Sequence, residues 1–246
     1  MKDLANAIER SLKAEATPER AEKEKAYLKS ELEHLGASVP AIRRVTRAAL
    51  AELSHEGLIE LARALWAKPV HERRMAAVEV LEARSKQLVP GDLELIERFL
   101  REARGWALVD GLAANVAGPL VERFPELERE LDRWAKDEDF WIRRSALLAR
   151  LLALRAGRGD FEAFARHADA MLEETEFFVR KAIGWVLRAA SKKRPNAVAD
   201  WLEPRAARAS GVTIREAVKY LPEERRRRLL SAHAAGRVPR QRRGMT

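Results

Sequence analysis

The sequence predicts an all-α fold built from stacked pairs of helices. Good helix formers (Ala, Leu, Glu, Arg and Lys) dominate the composition, whereas Gly and Pro number only 12 and 10 in 246 residues. Apolar residues recur at i, i+3, i+4 and i+7 in nearly every segment, which is the spacing of a helix with one buried face. We expect helices of roughly 10–25 residues joined by short turns. The predicted breaks are Thr17-Pro18, residues 36–40, Lys68-Pro69, Pro90-Gly91, Gly118-Pro119, Pro125, residues 157–159, Arg194-Pro195, Pro204, Gly211 and Pro222.

A short pattern recurs about every 35 residues and indicates repeated helix pairs. Arg143, Arg180 and Arg215 stand 37 and 35 residues apart in the matching contexts IRRSA, VRKAI and IREAV, and Arg73 precedes Arg143 by 70 residues. This interval is the size of a HEAT or armadillo-type repeat, in which neighbouring pairs stack into a curved array. We therefore predict an α-solenoid of HEAT-like repeats, forming one domain over residues 1–235. A compact helical bundle is the alternative, and residues 236–246 are predicted to be a disordered basic tail.

The excess of positive charge lies in the C-terminal part of the chain. Residues 1–140 carry 23 basic and 27 acidic side chains, whereas residues 141–246 carry 24 and 11, within a formal net charge of +9 and a pI near 10.1. Such asymmetry is typical of a nucleic-acid-binding face. A basic C-terminal segment, with a run of arginines at 225–228, is the simpler explanation for part of it.

Several classes of chemistry are excluded by what the sequence lacks. Without cysteine there can be no disulfide, thiol nucleophile, Cys-ligated zinc or iron–sulfur cluster. The motifs GxGxxG, GxxxxGK[ST], GxSxG and HExxH are absent, and the five histidines form no i, i+4 pair. A metal site would need carboxylates gathered from separate helices. No stretch has the length and apolarity of a membrane span or a secretory signal, so we expect a cytoplasmic protein without metal or cofactor.

Tryptophan is frequent, with six Trp against two Tyr. We expect Trp66, Trp134 and Trp201 to pack between helices. On a helical wheel, however, Trp106 and Asp110 form an i, i+4 pair that lies off the apolar stripe of their own helix. Trp106 either packs on the next repeat, with Asp110 solvated or capping a helix, or belongs to a functional site.

Two further predicted helices carry basic residues at positions that suggest specific partners. Arg144 falls on the apolar side of its helix, where it needs a carboxylate, backbone carbonyls or an external anion as a partner. Lys181, Arg188 and Lys192 lie within about 60° of Trp185 on one helix face. Cations interleaved with a flat aromatic ring are typical of a surface that follows phosphates, although a solvated face is equally compatible.

The residues around these positions resemble a known family. Residues 105–110 (GWALVD), 140–146 (FWIRRSA) and 177–188 (FFVRKAIGWVLR) resemble the DNA alkylation repair family, the HEAT-like-repeat alkylpurine DNA glycosylases of the AlkD type. Residues 27–30 (YLKS) with 36–40 (GASVP) resemble its N-terminal block, and residues 215–219 (REAVK) its last helix. The resemblance covers about residues 20–222.

The resemblance implies a fold, an activity and a set of site residues. It implies a right-handed superhelix of HEAT-like repeats that holds duplex DNA on a concave, basic face. The activity it implies is the excision of cationic N3- and N7-alkylated purines, without a deep base-flipping pocket. It implies Trp106, Asp110 and Trp185 as the catalytic cleft, with Arg144 and Arg188 contacting the DNA backbone. The family often carries a second Trp and an Asp in the first block, and Gly105 and Ala107 stand there in this chain.

The chemistry of that reaction suits these residue types. An alkylated purine is already cationic and leaves without a general acid, and a carboxylate such as Asp110 can stabilise the oxocarbenium ion and orient water. Trp106 and Trp185 can offer π faces to the cation. No lysine is placed as an imine-forming nucleophile, so we expect no strand cleavage. The predicted partner is double-stranded DNA with alkylated purines, bound by a monomer that associates with the nucleoid. The alternative is a non-catalytic HEAT-repeat protein that binds DNA structures or serves as a scaffold.

Overall fold

The computed structural model describes residues 1–50 and 53–237, and this part of the chain is helical almost throughout. Apart from an isolated β-bridge between Glu33 and Val70, the described residues form no strand, which confirms the all-α prediction. Among their helices, none is long and apolar enough to cross a bilayer. Of the predicted basic tail, residues 236 and 237 continue the last helix, and residues 238–246 lie outside the described residues.

The helices form two compact units, Met1–Leu127 and Glu128–Thr246, each described here by itself. The prediction of a single domain over residues 1–235 therefore stays a prediction. The N-terminal unit contains α1 (Lys2–Ala14), α2 (Pro18–Leu28), α3 (Val39–Ala48), α4 (His55–Trp66), α5 (His71–Ala83), α6 (Leu93–Ala103), α7 (Trp106–Asp110) and α8 (Gly118–Arg123). The C-terminal unit contains α9 (Glu128–Trp134), α10 (Phe140–Leu148), α11 (Leu151–Arg155), α12 (Phe161–Ala170), α13 (Phe177–Ser191), α14 (Pro195–Leu202), α15 (Gly211–Ala217) and α16 (Glu223–Arg237).

Side-chain hydrogen bonds repeat the sequence period in three dimensions. Partners that lie 33 to 38 residues apart recur within both units, and each pair joins one helix-pair repeat to the next. This pattern confirms the helix-pair repeat and extends it into the region before residue 70, where the sequence pattern is weak. The pairs include Arg43 with Glu79, His55 with Asp92, Trp66 with Glu102, Asn115 with Glu82, His167 with Asp132, Arg194 with Gly157, Arg205 with Asp169 and Thr213 with Arg180.

Most helices begin where the sequence predicts a break. Thr17 and Ser38 cap α2 and α3 through hydrogen bonds from backbone N–H groups of the first turn, and each helix has a proline among its first residues. The predicted break at Gly118-Pro119 is wrong, because α7, a π-helical segment Gly111–Ala117 and α8 follow one another without interruption. Proline lacks the N–H for an ordinary α-helical bond, and the widened turns of a π-helix adapt the backbone around it.

The buried faces follow the apolar spacing. In α4, Leu58, Leu61 and Leu65 are fully buried, as the i, i+3, i+7 pattern predicts. The three tryptophans expected to pack between helices are also buried, which confirms that prediction. They are Trp66, Trp134 and Trp201.

An ion pair between α1 and α5 lies inside the N-terminal unit. Arg73 is 2% exposed, and one of its N–H groups donates to the Glu9 carboxylate at 2.5 Å. Its other donors reach backbone carbonyls, among them that of Ala64 at 2.7 Å, and the side-chain oxygen of Asn6. Hydrogen bonds from Lys13 and Lys68 lower the pKa of Glu9 to about 2, and Arg73 adds to this effect, while burial opposes it. Glu9 therefore compensates a cation that would otherwise be buried without a counter-ion.

We expect Glu9→Gln to lower the free energy of unfolding by about 3 kcal/mol at pH 7, because it leaves the buried Arg73 without its anion. Urea denaturation measures this loss. The control is Glu19→Gln, since Glu19 pairs with Lys23 on the surface with side chains 78% and 74% exposed, and its loss should be under about 1 kcal/mol. Equal losses for the two variants would contradict the role given to Glu9.

The same pair predicts a pH dependence. Since the pKa of Glu9 is about 2 in the folded state and 4.5 when unperturbed, its contribution is complete above pH 4.5 and disappears as the pH falls toward 2. The difference in unfolding free energy between wild type and Glu9→Gln should therefore be smaller at pH 3 than at pH 7. A difference that stays constant would exclude this titration.

Candidate functional site

In the N-terminal unit, α7 separates the Trp106–Asp110 pair from the core. Leu108 and Val109 are buried, at 2% and 0% exposure, whereas Trp106 and Asp110 are only partly buried. The helical wheel predicted this separation. Asp110 is the last residue of α7, directly before the π-helical segment, and such segments occur frequently at functional sites.

Tyr27 contacts Trp106 from the end of α2. The two rings meet edge to face, with centroids 5.8 Å apart and an angle of 87° between their planes. Tyr27 is 73% exposed, so the pair presents an open aromatic surface. Sequence reasoning named Tyr27 only within the block that resembles the family, and no periodicity linked it to Trp106.

A cavity of about 480 Å³ lies beside Trp106 within the same unit. Gly105 and Ala107 are part of its wall. A Cβ atom added to Gly105 would meet nothing nearer than the Ala103 carbonyl oxygen, at 3.8 Å, so close packing does not require glycine there. The other lining residues are Leu28, Ser30, Glu31, Leu32, Pro69, His71, Arg74, Arg101, Glu102, Ala103, Arg104 and Leu108.

In the C-terminal unit, α13 has one apolar face and one cationic face. Lys181 and Lys192 are exposed, and Trp185 and Arg188 are partly buried, as expected for a face that combines cations with a flat ring. The Lys192 ammonium lies over the ring of Tyr220, 4.6 Å from its centroid, and Tyr220 is itself 53% exposed. The core stripe consists of Val179, Ile183, Val186, Leu187 and Ala190, all at 0% exposure.

Arg188 has an internal counter-ion that the sequence did not indicate. Its guanidinium lies 2.6 Å from the carboxylate of Glu216 on α15, and Lys219 donates to the same carboxylate at 2.7 Å. Burial tends to raise the pKa of Glu216, but the hydrogen bond from Lys219 and the charges of Arg188, Lys219 and Lys181 outweigh it and lower the pKa. Glu216 is therefore ionised at neutral pH and neutralises part of the cationic face.

Gly184 allows α13 and α15 to approach so closely. A Cβ at this position would lie 2.8 Å from the Cβ of Glu216 and 2.9 Å from the carbonyl oxygen of Thr213, which is too close for any other residue without a shift of the backbone. One sequence signal could have identified Glu216. It occupies the repeat position of Arg144 and Lys181, so the charge changes sign at this position in the last repeat.

Arg144 is buried on the apolar side of α10, as the wheel predicted, with 2% of its surface exposed. One of its N–H groups donates to the backbone carbonyl of Phe178, and its guanidinium carbon lies 5.7 Å from the centroid of the Phe178 ring. Phe178 also packs against Trp141, with centroids 4.8 Å apart. The structure thus brings Arg144 to the first turn of α13, and its predicted contact with a DNA phosphate stays a prediction.

The predicted site residues lie in different units. Trp106 and Asp110 belong to the N-terminal unit, whereas Arg144, Trp185 and Arg188 belong to the C-terminal unit. Their convergence into one cleft therefore stays a prediction. On a helical wheel Arg150 points away from the apolar side of its helix, but in the structure it is buried and forms an ion pair with Glu128.

Solved structures share this fold. A "predicted DNA alkylation repair enzyme" from Enterococcus faecalis superposes with a TM-score of 0.76 at 24% identity, covering 85% of this chain and 98% of that one. AlkD2 from Streptococcus mutans gives a TM-score of 0.60 at 20% identity, covering 82% and 99% of the two chains. The protein smu.31 from Streptococcus mutans UA159 gives 0.59 at 20% identity, covering 86% and 100%.

The sequence itself matches a family model over most of its length. The model described as DNA alkylation repair enzyme matches residues 8–221, which include every site residue discussed above. A comparison with curated proteins gave no significant match. With helix-pair repeats, an all-α fold shared with these structures and a family match over most of the chain, this protein belongs to the DNA alkylation repair enzyme family.

Proposed function

We propose that this protein is a monofunctional DNA glycosylase that hydrolyses the N-glycosidic bond of cationic N3- or N7-alkylated purines in duplex DNA. The main support for this proposal is the position of Trp106 and Asp110, which lie one helical turn apart. Both side chains stay partly accessible, whereas their neighbours Leu108 and Val109 are buried. An aromatic face beside a carboxylate is suited to a cationic substrate.

The proposed reaction follows from the charge of the substrate. The bond between C1′ and the purine nitrogen breaks, its electron pair neutralises the alkylated base, and positive charge moves to the sugar. A water oxygen then bonds to C1′ and loses a proton to the solvent. Asp110 stabilises the sugar cation and orients this water, and Trp106 and Trp185 contact the cationic nucleotide. Because the leaving group is already cationic, the step needs neither a general acid nor a metal.

The cationic face of α13 supplies the proposed contact with the DNA backbone. The exposed ammonium groups of Lys181 and Lys192 are available to phosphates, and Trp185 lies between them on the same face. Arg188 takes part by exchanging Glu216 for a phosphate or by sharing its donors between the two. Arg144, buried against Phe178, contributes by holding the first turn of α13, and a phosphate contact of its own requires the side chain to move.

We expect Asp110→Asn to lower the rate of 7-methylguanine release from methylated duplex DNA by about 10²–10³-fold, because it removes the charge that stabilises the sugar cation. Single-turnover kinetics measure the rate, and binding to unmodified duplex should change little. Glu126→Gln, an exposed carboxylate in the same unit, is the matched control and should leave the rate unchanged.

Two results would count against this proposal in different ways. Full activity in Asp110→Asn would contradict the role of Asp110 alone. If the wild type binds DNA but releases no cationic alkylpurine, the chain is a non-catalytic DNA-binding member of its family.

We expect Arg188→Ala to weaken duplex binding at all sequences and to reduce the slope of log K against log salt by about 1, as for the loss of one phosphate contact. Glu216→Gln should act in the opposite direction, tightening binding and steepening the slope, because it releases Arg188 and Lys219 from their shared counter-ion. Fluorescence anisotropy over a salt series measures both.

The control for this pair of variants is Glu223→Gln on α16. It changes the net charge by the same amount at a carboxylate that is 67% exposed and not bonded to Arg188. If Glu216→Gln and Glu223→Gln have equal effects, only net charge matters. Arg188 is then not a phosphate contact.

A further inference from the structure

The segment after α2 is held rigidly by its neighbours. The N–H of Glu33 donates to the carbonyl of Pro69 at 3.0 Å, and the N–H of His71 donates to the carbonyl of Glu33 at 2.8 Å. Gly36 adopts φ +95°, and a Cβ there would lie 2.1 Å from the Thr17 carbonyl oxygen. The backbone on both sides of residue 34 is thereby fixed between α2 and α5.

His34 has an unsatisfied imidazole ring in this segment. Its ring stacks on that of His71, with centroids 4.4 Å apart and planes 9° from parallel. Both of its ring nitrogens are shielded from solvent, and neither has a hydrogen-bond partner among the described residues. Buried side-chain nitrogens nearly always have a hydrogen-bond or coordination partner in the protein, in water or in an ion. A bound ligand would supply this partner for the His34 ring.

Two carboxylates from separate helices meet at this ring. Glu24 comes from α2 and Glu72 from α5, and their oxygens and a ring nitrogen of His34 all lie within 4.8 Å of one another. Glu72 is fully buried, and it accepts hydrogen bonds from the N–H groups of Leu35 and Gly36, at 2.9 and 2.6 Å. Each carboxylate oxygen has a second lone pair, and such hydrogen bonds commonly orient a metal-ligating carboxylate.

The charge of the cluster also favours a cation. Glu24 and Glu72 bring two negative charges. Arg20 pairs with Glu24 at 3.3 Å, whereas Glu72 is hydrogen-bonded to backbone N–H groups and forms no ion pair among the described residues. An imidazole nitrogen with two carboxylate oxygens suits borderline ions such as Zn²⁺ and Co²⁺ better than Mg²⁺ or Ca²⁺, which prefer oxygen ligands throughout.

We propose that Glu24, His34 and Glu72 form a binding site for a divalent transition-metal ion, which ties α2 and the segment after it to α5. The site is structural and takes no part in the proposed glycosylase step. Its presence or absence therefore leaves the proposed function untouched.

The test uses the full chain after removal of metal by a chelator. Calorimetric titration with Zn²⁺ should show one ion per chain, and Co²⁺ should give the visible absorption of a cobalt ion with nitrogen and oxygen ligands. At free Zn²⁺ about 100-fold above Kd, Tm should rise by about 5–10 °C. The release of 7-methylguanine should stay unchanged.

Three variants make the test specific. His34→Phe keeps a ring to stack on His71 but removes the ligand, and Glu24→Gln removes an accessible carboxylate without touching the core. Each should weaken Zn²⁺ binding at least about 10-fold. His233→Asn, in the C-terminal unit, should have no effect. Absence of Zn²⁺ and Co²⁺ binding to the wild type, or binding that survives both Glu24→Gln and His34→Phe, would overturn the proposal.

Discussion

Within each unit, successive repeats rely on polar contacts with one another. The carboxylate of Glu72 satisfies two backbone N–H groups of the segment before α3, and the buried hydroxyl of Thr213 donates to the carbonyl of Arg180. A buried polar group left without its partner costs about 1–3 kcal/mol. The spacing of 33 to 38 residues is thus an energetic constraint as well as a pattern, since a repeat that lost its neighbour would expose apolar surface and also leave buried donors unsatisfied.

The same constraint shapes the cationic face of the C-terminal unit. α13 and α15 belong to successive repeats, and Gly184 lets them cross with almost no space between their backbones. This approach places Glu216 beside Arg188, so Arg188 has a carboxylate partner within the protein. Lys181 and Lys192, which project from the exposed face, lack that constraint. The tight packing between α13 and α15 therefore determines that Arg188 has an internal carboxylate partner.

Helical periodicity in the sequence predicts which face of a single helix is buried, but it does not predict which residues of different helices come into contact. The wheels placed Trp106, Asp110 and Arg144 correctly relative to their own cores, because burial of one helix face depends on local spacing. They could not reveal the contact of Tyr27 with Trp106, nor the gathering of Glu24, His34 and Glu72, because these partners come from different helices. The break predicted at Gly118-Pro119 failed for a related reason. Proline excludes an ordinary α-helical bond, but the backbone can continue through π-helical turns.

Under the proposed function, the open setting of Trp106 and Asp110 has a chemical reason. An enzyme that must protonate its leaving group needs an acid with a raised pKa, which usually requires a buried carboxyl group. A cationic purine removes that need, so the proposed reaction does not require a deeply buried carboxyl group. The cavity beside Trp106, widened where Gly105 and Ala107 lack bulky side chains, is compatible with the same logic. The selectivity for damaged bases then depends on how readily each base leaves, and not on how closely the protein encloses it. The protein's own contribution is mainly to place charged groups beside the reacting sugar.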